Sequence, residues 1–264
     1  KNNYTQENFQ LAKDKRIYSQ GLAWNPRRFV GAHVSPDSSQ EKYLYFLFTK
    51  RINDTLTLDT VSLIQSRLFR PFSFLGPGVK SYGEGDGRST FVYLTYADLC
   101  FMRAELAARN ITSEDAQQLY NDGIRASIEY YDNLSADAKI FEYEPVIDNE
   151  INAYLSAPDV AYNPSKALEQ IIIQAYINSY KEPNEAWALI KRTGMPNKNT
   201  ALANEDISIN GVIKEIPRRA QITPANESSS NYANEKAAQD EMASDPDFGE
   251  GLSDFFGRVW WDKK

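Results

Sequence analysis

Residues 91–108 read FVYLTYADLCFMRAELAA, and with this stretch the chain changes from loop-like to helical character. Apolar and small residues recur there at helical spacing over about five turns. They are Tyr93, Leu94, Ala97, Cys100, Phe101, Ala104, Ala107 and Ala108. A helix that is apolar nearly all round needs neighbours on more than one side. We therefore predict a helix that is buried on most of its surface and ends near Asn110.

A second helix is predicted directly after the first. Thr112 or Ser113 can cap it, and its apolar stripe carries Ala116, Leu119, Tyr120, Gly123, Ser127 and Tyr131. The small residues at 123 and 127 let a partner helix approach closely. Two helices joined by a tight turn form a hairpin close in length to a tetratricopeptide unit of about 34 residues, although the Trp and Leu-Gly signature of that repeat is missing.

Two shorter helices are predicted downstream. Ser165 can cap a third helix that is broken at Pro183, and Asn184 can cap a fourth that ends at Gly194. The segment 135–164 contains three prolines and predicts a loop-rich crossing. Residues 201–264 predict coil, apart from a short helix around residues 234–242.

The part before the helices has a different pattern. Residues 1–91 alternate polar loops with short apolar stretches, of which residues 43–48 are the most strand-like. Residues 76–87 are rich in glycine and predict an exposed loop. We expect a loop-rich lobe over 1–91, a helical part over 92–200 and a coil-rich tail over 201–264.

Charge and cysteine content exclude several classes of protein. The 36 acidic residues outnumber the 29 basic ones, and the net charge of −7 should repel a phosphate backbone, so nucleic acid is not an expected partner. The single cysteine, Cys100, rules out an intrachain disulfide and a cysteine-based zinc site. No apolar run approaches the length that crosses a bilayer.

The sequence offers little catalytic chemistry. The one histidine, His33, has no nucleophile near it in the sequence, so a catalytic triad is not expected. Glu84 and Asp86 could ligate calcium, but a solvated turn is the preferred interpretation, and we expect neither a metal nor a cofactor. Two well-placed carboxylates suffice for glycoside hydrolysis, which composition alone leaves open. Arg218 and Arg219, upstream of Glu227, predict a structural salt-bridged clasp.

Several segments, taken in order, resemble the SusD/RagB family. Residues 94–105 (LTYADLCFMRAE) look like its Y-A-E-L-C-F-L-K-A-E helix, and 120–127 (YNDGIRAS) like its Y-x-x-G-I-x-A-S helix. The later matches are 172–177 (IIQAYI), 185–188 (EAWA), 191–196 (KRTGMP), the PRR of 217–219 and the closing WWD of 260–262. Residues 25–27 (NPR) are similar to a D-P-R motif. The chain departs from the pattern at Ala175, Tyr176, Lys191 and Met195, which we interpret as packing changes.

The resemblance implies a mainly α fold of tetratricopeptide-like helical pairs with a loop-rich lobe packed against them. Family members are longer, so we expect residues 1–264 to be the C-terminal part of a single SusD-like domain that pairs with the N-terminal half of the same protein. The implied function is non-catalytic capture of an oligosaccharide or other nutrient for a SusC-type TonB-dependent transporter. The implied location is the surface of the outer membrane, with a lipid anchor on an N-terminal segment that this chain lacks.

The family's sugar site varies among members, so the candidate ligand residues depend on local chemistry. Trp24 and Tyr82 lie beside Pro, Gly or polar residues, where a ring tends to face solvent and can stack on a sugar. Arg27 and Asp86 are the candidate polar partners. A glycoside hydrolase and an adaptor that binds only protein through helical repeats are the two rival interpretations.

Overall fold

The computed structural model of the protein describes residues 92–137, 145–259 and 262, together with the backbone of residues 21–22 and 63–64. This part of the chain is mainly helical, which confirms the predicted fold class. Of the lobe predicted over residues 1–91, only a short antiparallel ladder is described, in which β1 (Gly21–Leu22) pairs with β2 (Leu63–Ile64). The strand-like residues 43–48 and the loop 76–87 lie outside the described residues.

The first two helices form the predicted hairpin. Helix α1 spans Tyr96–Ala108 and α2 spans Ala116–Asp137. They approach closely, because a Cβ atom placed on Gly123 would lie 2.7 Å from the Phe101 ring. The close approach predicted for Gly123 is thus confirmed. The cap of α2 was wrongly predicted at Thr112 or Ser113, since the Asp115 carboxylate accepts the hydrogen bond from the Gln118 backbone N–H at 3.0 Å.

The segment before the third predicted helix contains a further helix. It was not predicted, because the three prolines of this segment favoured a loop. Helix α3 spans Asp148–Leu155 and buries Ile151 and Tyr154, whereas a loop-rich crossing was predicted. A 3₁₀ turn over Pro164–Lys166 then leads into α4, Ala167–Asn178. Asn163 caps the 3₁₀ turn, where its side chain accepts from the Ser165 N–H at 3.0 Å. Helix α4 itself follows Lys166 without a side-chain cap hydrogen bond, so the prediction of Ser165 as the cap was wrong.

Helix α5 spans Pro183–Thr193 after a 3₁₀ turn over Ser179–Lys181. Pro183 begins this helix rather than breaking the chain away from it, because proline at the first helical position loses no hydrogen bond. The predicted cap at Asn184 is therefore wrong, since that residue lies inside the first turn. The predicted stop at Gly194 is confirmed by its left-handed conformation, with φ of 72°.

Helices α1 to α5 belong to one compact unit, which ends at residue 205. The core of this unit lies between α1, α2, α3 and α4. Its largest fully buried side chains include Tyr120, Tyr131, Ile124, Ile171 and Ile172. The two tyrosines keep their hydroxyls satisfied, because Tyr120 donates to the Val160 carbonyl at 2.8 Å and Tyr131 to the Asn178 carbonyl at 2.6 Å. Among the helices that the structure describes, none has the length and apolar character to span a bilayer.

From residue 206 onward the chain belongs to a second unit, which is less regular, as predicted, but is not simply coil. Strand β3 (Ile207–Ile209) pairs antiparallel with β4 (Val212–Lys214). Asn210 and Gly211 form the turn with φ of 52° and 75°, the backbone that a two-residue type I′ hairpin requires. Helix α6 spans Tyr232–Ala243, which confirms the short helix predicted near residues 234–242, and a 3₁₀ turn covers Pro246–Phe248.

Candidate functional site

The four predicted ligand residues, Trp24, Arg27, Tyr82 and Asp86, all lie outside the described residues. The same holds for the acidic loop that could ligate calcium and for His33. These assignments therefore stay predictions. Within the described part of the chain, no cluster of three or more His, Cys, Asp or Glu side chains could hold a metal ion.

A polar cluster joins the start of α1 to the end of α4. Asp98 accepts from the Thr95 backbone N–H at 2.7 Å, and Thr95 Oγ1 accepts from the Asp98 N–H at 3.1 Å, so the two residues form a capping box. The second carboxylate oxygen of Asp98 accepts from the side-chain amide of Asn178. Both oxygens of Asp98 are thus engaged in holding two helices.

Glu182 and Tyr130 are the perturbed acids near this cluster. Burial, Asp98 and Glu185 all raise the pKa of Glu182. Burial, followed by the charges of Glu182 and Asp98, raises the pKa of Tyr130 to about 12. A carboxyl group with a raised pKa beside a second carboxylate is typical of general acid–base catalysis. Asp98, however, already accepts hydrogen bonds in the capping box and from Asn178. We assign this cluster to helix packing.

A second charged cluster clamps α1 to α5. Arg192 donates to both oxygens of Glu105, with Nη1 at 2.6 Å from Oε1 and Nη2 at 2.7 Å from Oε2. Arg109 Nε donates to the same Oε1 at 2.9 Å. Glu105 is only 8% exposed, and the hydrogen bonds from Arg192 are the main reason that its pKa is lowered. Two guanidinium groups thus neutralise one nearly buried carboxylate.

The adjacent arginines 218 and 219 tie together the end of the chain. Arg218 forms a bidentate pair with Asp262, in which Nε lies 2.6 Å from Oδ2. Arg219 is 5% exposed and donates to the carbonyls of Asp254 at 2.7 Å and Gly251 at 2.6 Å. The predicted acidic partner Glu227 was wrong, because the closing segment of the chain folds back and supplies Asp262 and the carbonyl groups instead.

Sequence reasoning did not predict the Glu105 clamp. The spacing of Glu105 and Arg109 was a usable signal, because oppositely charged residues four apart on a helix commonly pair. Arg192 carries no comparable signal, since it lies far away in the sequence. The clamp also brings together residues 94–105 and 191–196, two of the segments that carry the family resemblance described above.

Comparison with known families explains why these segments occur together. The family model for SusD-like proteins, described as "Starch-binding associating with outer membrane", matches residues 65–221, more than half of the chain. The chain belongs to the SusD/RagB family. No curated protein sequence matches it.

Solved SusD-like structures share the fold of this SusD-like chain. It aligns with a SusD homologue from Bacteroides fragilis with a TM-score of 0.67 and 20% identity, covering 98% of this chain and 51% of that one. A second homologue from the same species gives a TM-score of 0.64 at 20% identity, with 98% and 50% covered. A chitin-binding protein gives 0.52 at 25% identity, with 79% and 39% covered. The chain thus spans about half of the length of the two Bacteroides fragilis homologues and 39% of the chitin-binding protein.

Proposed function

We propose that this SusD-like chain is part of a non-catalytic glycan-binding protein of the outer membrane, which captures oligosaccharide for a SusC-type TonB-dependent transporter. The observation that carries the proposal is the family match over residues 65–221, whose description names starch binding and association with the outer membrane. The 25% identity to a chitin-binding protein supports a polysaccharide-derived ligand. The protein faces the cell exterior and is held by a lipid on its N-terminal segment.

The charged clusters of the described residues support binding without catalysis. A glycosidase needs one carboxyl group that gives up a proton and a second that acts as nucleophile or base. Glu105 is held by Arg192 and Arg109, and Asp98 is held by Thr95 and Asn178. Each of these two carboxylates already has a structural role, which makes neither of them suitable as the acid or the base of a glycosidase.

The proposed ligand site lies on the segments before residue 92 that the sequence predicts to be loops. Trp24 and Tyr82 supply rings that stack on the apolar face of a pyranose, and Arg27 and Asp86 bond its hydroxyl groups. Trp187 is a less suitable stacking ring, because the Lys191 ammonium lies 3.7 Å from the centre of its ring. A sugar would have to displace this cation to reach that face of the indole.

Titration of an oligosaccharide against ring variants tests the site. Trp24→Ala and Tyr82→Ala each remove a stacking surface, and the loss of about 1 kcal/mol or more should weaken binding at least several-fold. Trp24→Phe and Tyr82→Phe keep a ring and should retain most of the affinity, which makes them the matched controls. Melting curves should be unchanged in all four. Wild-type affinity in both alanine variants would remove these loops from the site.

A further inference from the structure

Helix α5 differs from the other helices of its unit in how little of it is buried. Six of the twelve residues of α4 are buried, as are six of the thirteen residues of α1. The structure describes all eleven residues of α5, and none of them is buried. Its large apolar side chains, Trp187, Leu189 and Ile190, are only half-buried. Because the free energy gained from packing scales with the apolar area removed from water, α5 gains less than its neighbours.

The chain is anchored at both ends of α5. Before the helix, the backbone N–H of Lys181 donates to the hydroxyl of the buried Tyr131 at 3.4 Å. After the helix, Pro196 is fully buried, and its carbonyl accepts from the side chain of Asn204 at 2.6 Å. Helix α5 is therefore a short strap between two anchored points.

The Glu105 clamp holds this strap against α1. Arg192 of α5 donates two hydrogen bonds to Glu105, and we call this pair the latch. The side chain of Arg192 is 54% exposed, whereas that of Glu105 is 11% exposed. The cation that α5 contributes thus lies on the solvent side of the pair. Dissolved salt can screen its charge there more effectively than it could in the interior.

The third member of the clamp favours release of α5. A buried carboxylate that loses its cation is strongly destabilised, because its charge is left without a partner. Glu105 would keep the hydrogen bond from Arg109, whose Nε lies 2.9 Å from Oε1. Arg109 follows α1 directly, so this contact does not depend on α5. With α5 released, Glu105 would remain paired, and water would reach the side that Arg192 had covered.

We propose that α5 opens as a separate unit while α1, α2 and α4 stay folded, and that the latch of Arg192 and Glu105 controls this opening. The strap moves between its anchors at Tyr131 and Pro196. High salt loosens the latch, because it screens the half-exposed guanidinium group. A bound glycan plays no part in this opening, so a failure here and a failure of the proposed function are separate results.

Amide hydrogen exchange of the intact protein at neutral pH tests the opening. In the wild type we expect the amides of α5 to exchange roughly tenfold or more faster than those of α4. The exchange of α5 should also depend less on added urea, since a local opening exposes little surface. Equal rates and an equal urea dependence in the two helices would overturn the proposal, because α5 would then open only when the whole unit unfolds.

Two variants test the latch. Arg192→Gln removes the guanidinium group and should speed exchange in α5 by a further factor of roughly ten, because hydrogen bonds to a charged group are lost. Arg103→Gln breaks the more exposed pair with Glu114 and is the matched control, with exchange in α5 expected within about twofold of wild type. High salt should speed exchange in α5 of the wild type and change it little in Arg192→Gln. Unchanged exchange in Arg192→Gln, or an equal salt response in wild type and Arg192→Gln, would overturn the proposal.

Discussion

At Glu105 the helical unit buries a carboxylate between two guanidinium groups. Burial alone would disfavour the charged form, yet the pKa of Glu105 is lowered, so the hydrogen bonds from Arg192 and Arg109 outweigh the loss of water. The sequence indicated that residues 94–105 and 191–196 belong to one pattern. It could not indicate that Glu105 and Arg192 touch, because a contact between residues 87 positions apart is decided by helix packing.

Removing the clamp should cost stability. Arg192→Ala leaves a nearly buried carboxylate with one partner, and we expect the free energy of unfolding to fall by about 1–2 kcal/mol. Arg103→Ala breaks the more exposed pair with Glu114 and is the control, with an expected loss clearly smaller than that of Arg192→Ala. Denaturant melts at neutral pH measure both values. Equal losses in the two variants would mean that burial of Glu105 adds nothing to the clamp.

Acid should weaken the clamp in a defined direction. The pKa of Glu105 is lower in the folded state than in the unfolded chain, so the unfolded chain takes up the proton first as pH falls. The contribution of Glu105 is therefore complete well above its unfolded pKa of about 4.3 and is lost as pH drops below it. Urea melts between neutral and acid pH should show less acid destabilisation in Glu105→Gln than in wild type. Parallel pH profiles would contradict the role given to this carboxylate.

Arg219 ties the closing segment by a different means, since its hydrogen-bond acceptors are backbone carbonyls and its guanidinium lies 4.0 Å from the centre of the Phe248 ring. Arg219→Ala should lower the free energy of unfolding by about 2–3 kcal/mol, because it leaves the carbonyls of Gly251 and Asp254 without this donor. Lys236→Ala, which breaks an exposed pair on α6, should cost little. Glycan affinity of the folded fraction should not change. An unaltered melting curve with lost binding would move Arg219 into the ligand site.

Among the elements, those with clear periodicity were predicted and those with local signals were missed. Apolar spacing predicted α1, α2 and α4, because each of these helices buries at least one face. It also predicted α5, although no residue of that helix is fully buried. Helix α3 is short and lies among prolines. Its two apolar core residues were too few to indicate a helix, so a loop was predicted instead. The hairpin over residues 207–214 was missed although Asn210-Gly211 is a strong turn signal, since its strands are too short to show alternation.

The contact between α1 and α2 depends on the absence of a side chain at Gly123. Gly123→Ala would gain up to about 1 kcal/mol of helix propensity, but the new methyl group would overlap the buried Phe101 ring. Overpacking of this kind costs about 1–3 kcal/mol, so we expect net destabilisation. Gln118→Ala on the exposed face of α2 is the control and should be nearly neutral. A more stable Gly123→Ala variant would show that the two helices are not tightly packed there.

For the whole molecule, the sequence predicted much more of the fold than of the ligand site. Helical spacing and the ordered family segments determine which helices form and which family they belong to, and the family match over residues 65–221 agrees. A sugar site depends on how loops place a few rings and polar groups, which no periodic pattern records. For this reason the ligand-binding roles of Trp24, Arg27, Tyr82 and Asp86 remain predictions from the residues beside them in the sequence.

Binding without cleavage is the central claim, and one calorimetric experiment tests it. Starch-derived and chitin-derived oligosaccharides are titrated into the intact protein, and each mixture is then analysed by chromatography after prolonged incubation. We expect saturable binding heat with at least one oligosaccharide, which is recovered at its original length. Shortened products would identify a glycoside hydrolase, and no heat with any oligosaccharide, despite a normal melting curve, would contradict the assignment as a glycan-binding protein.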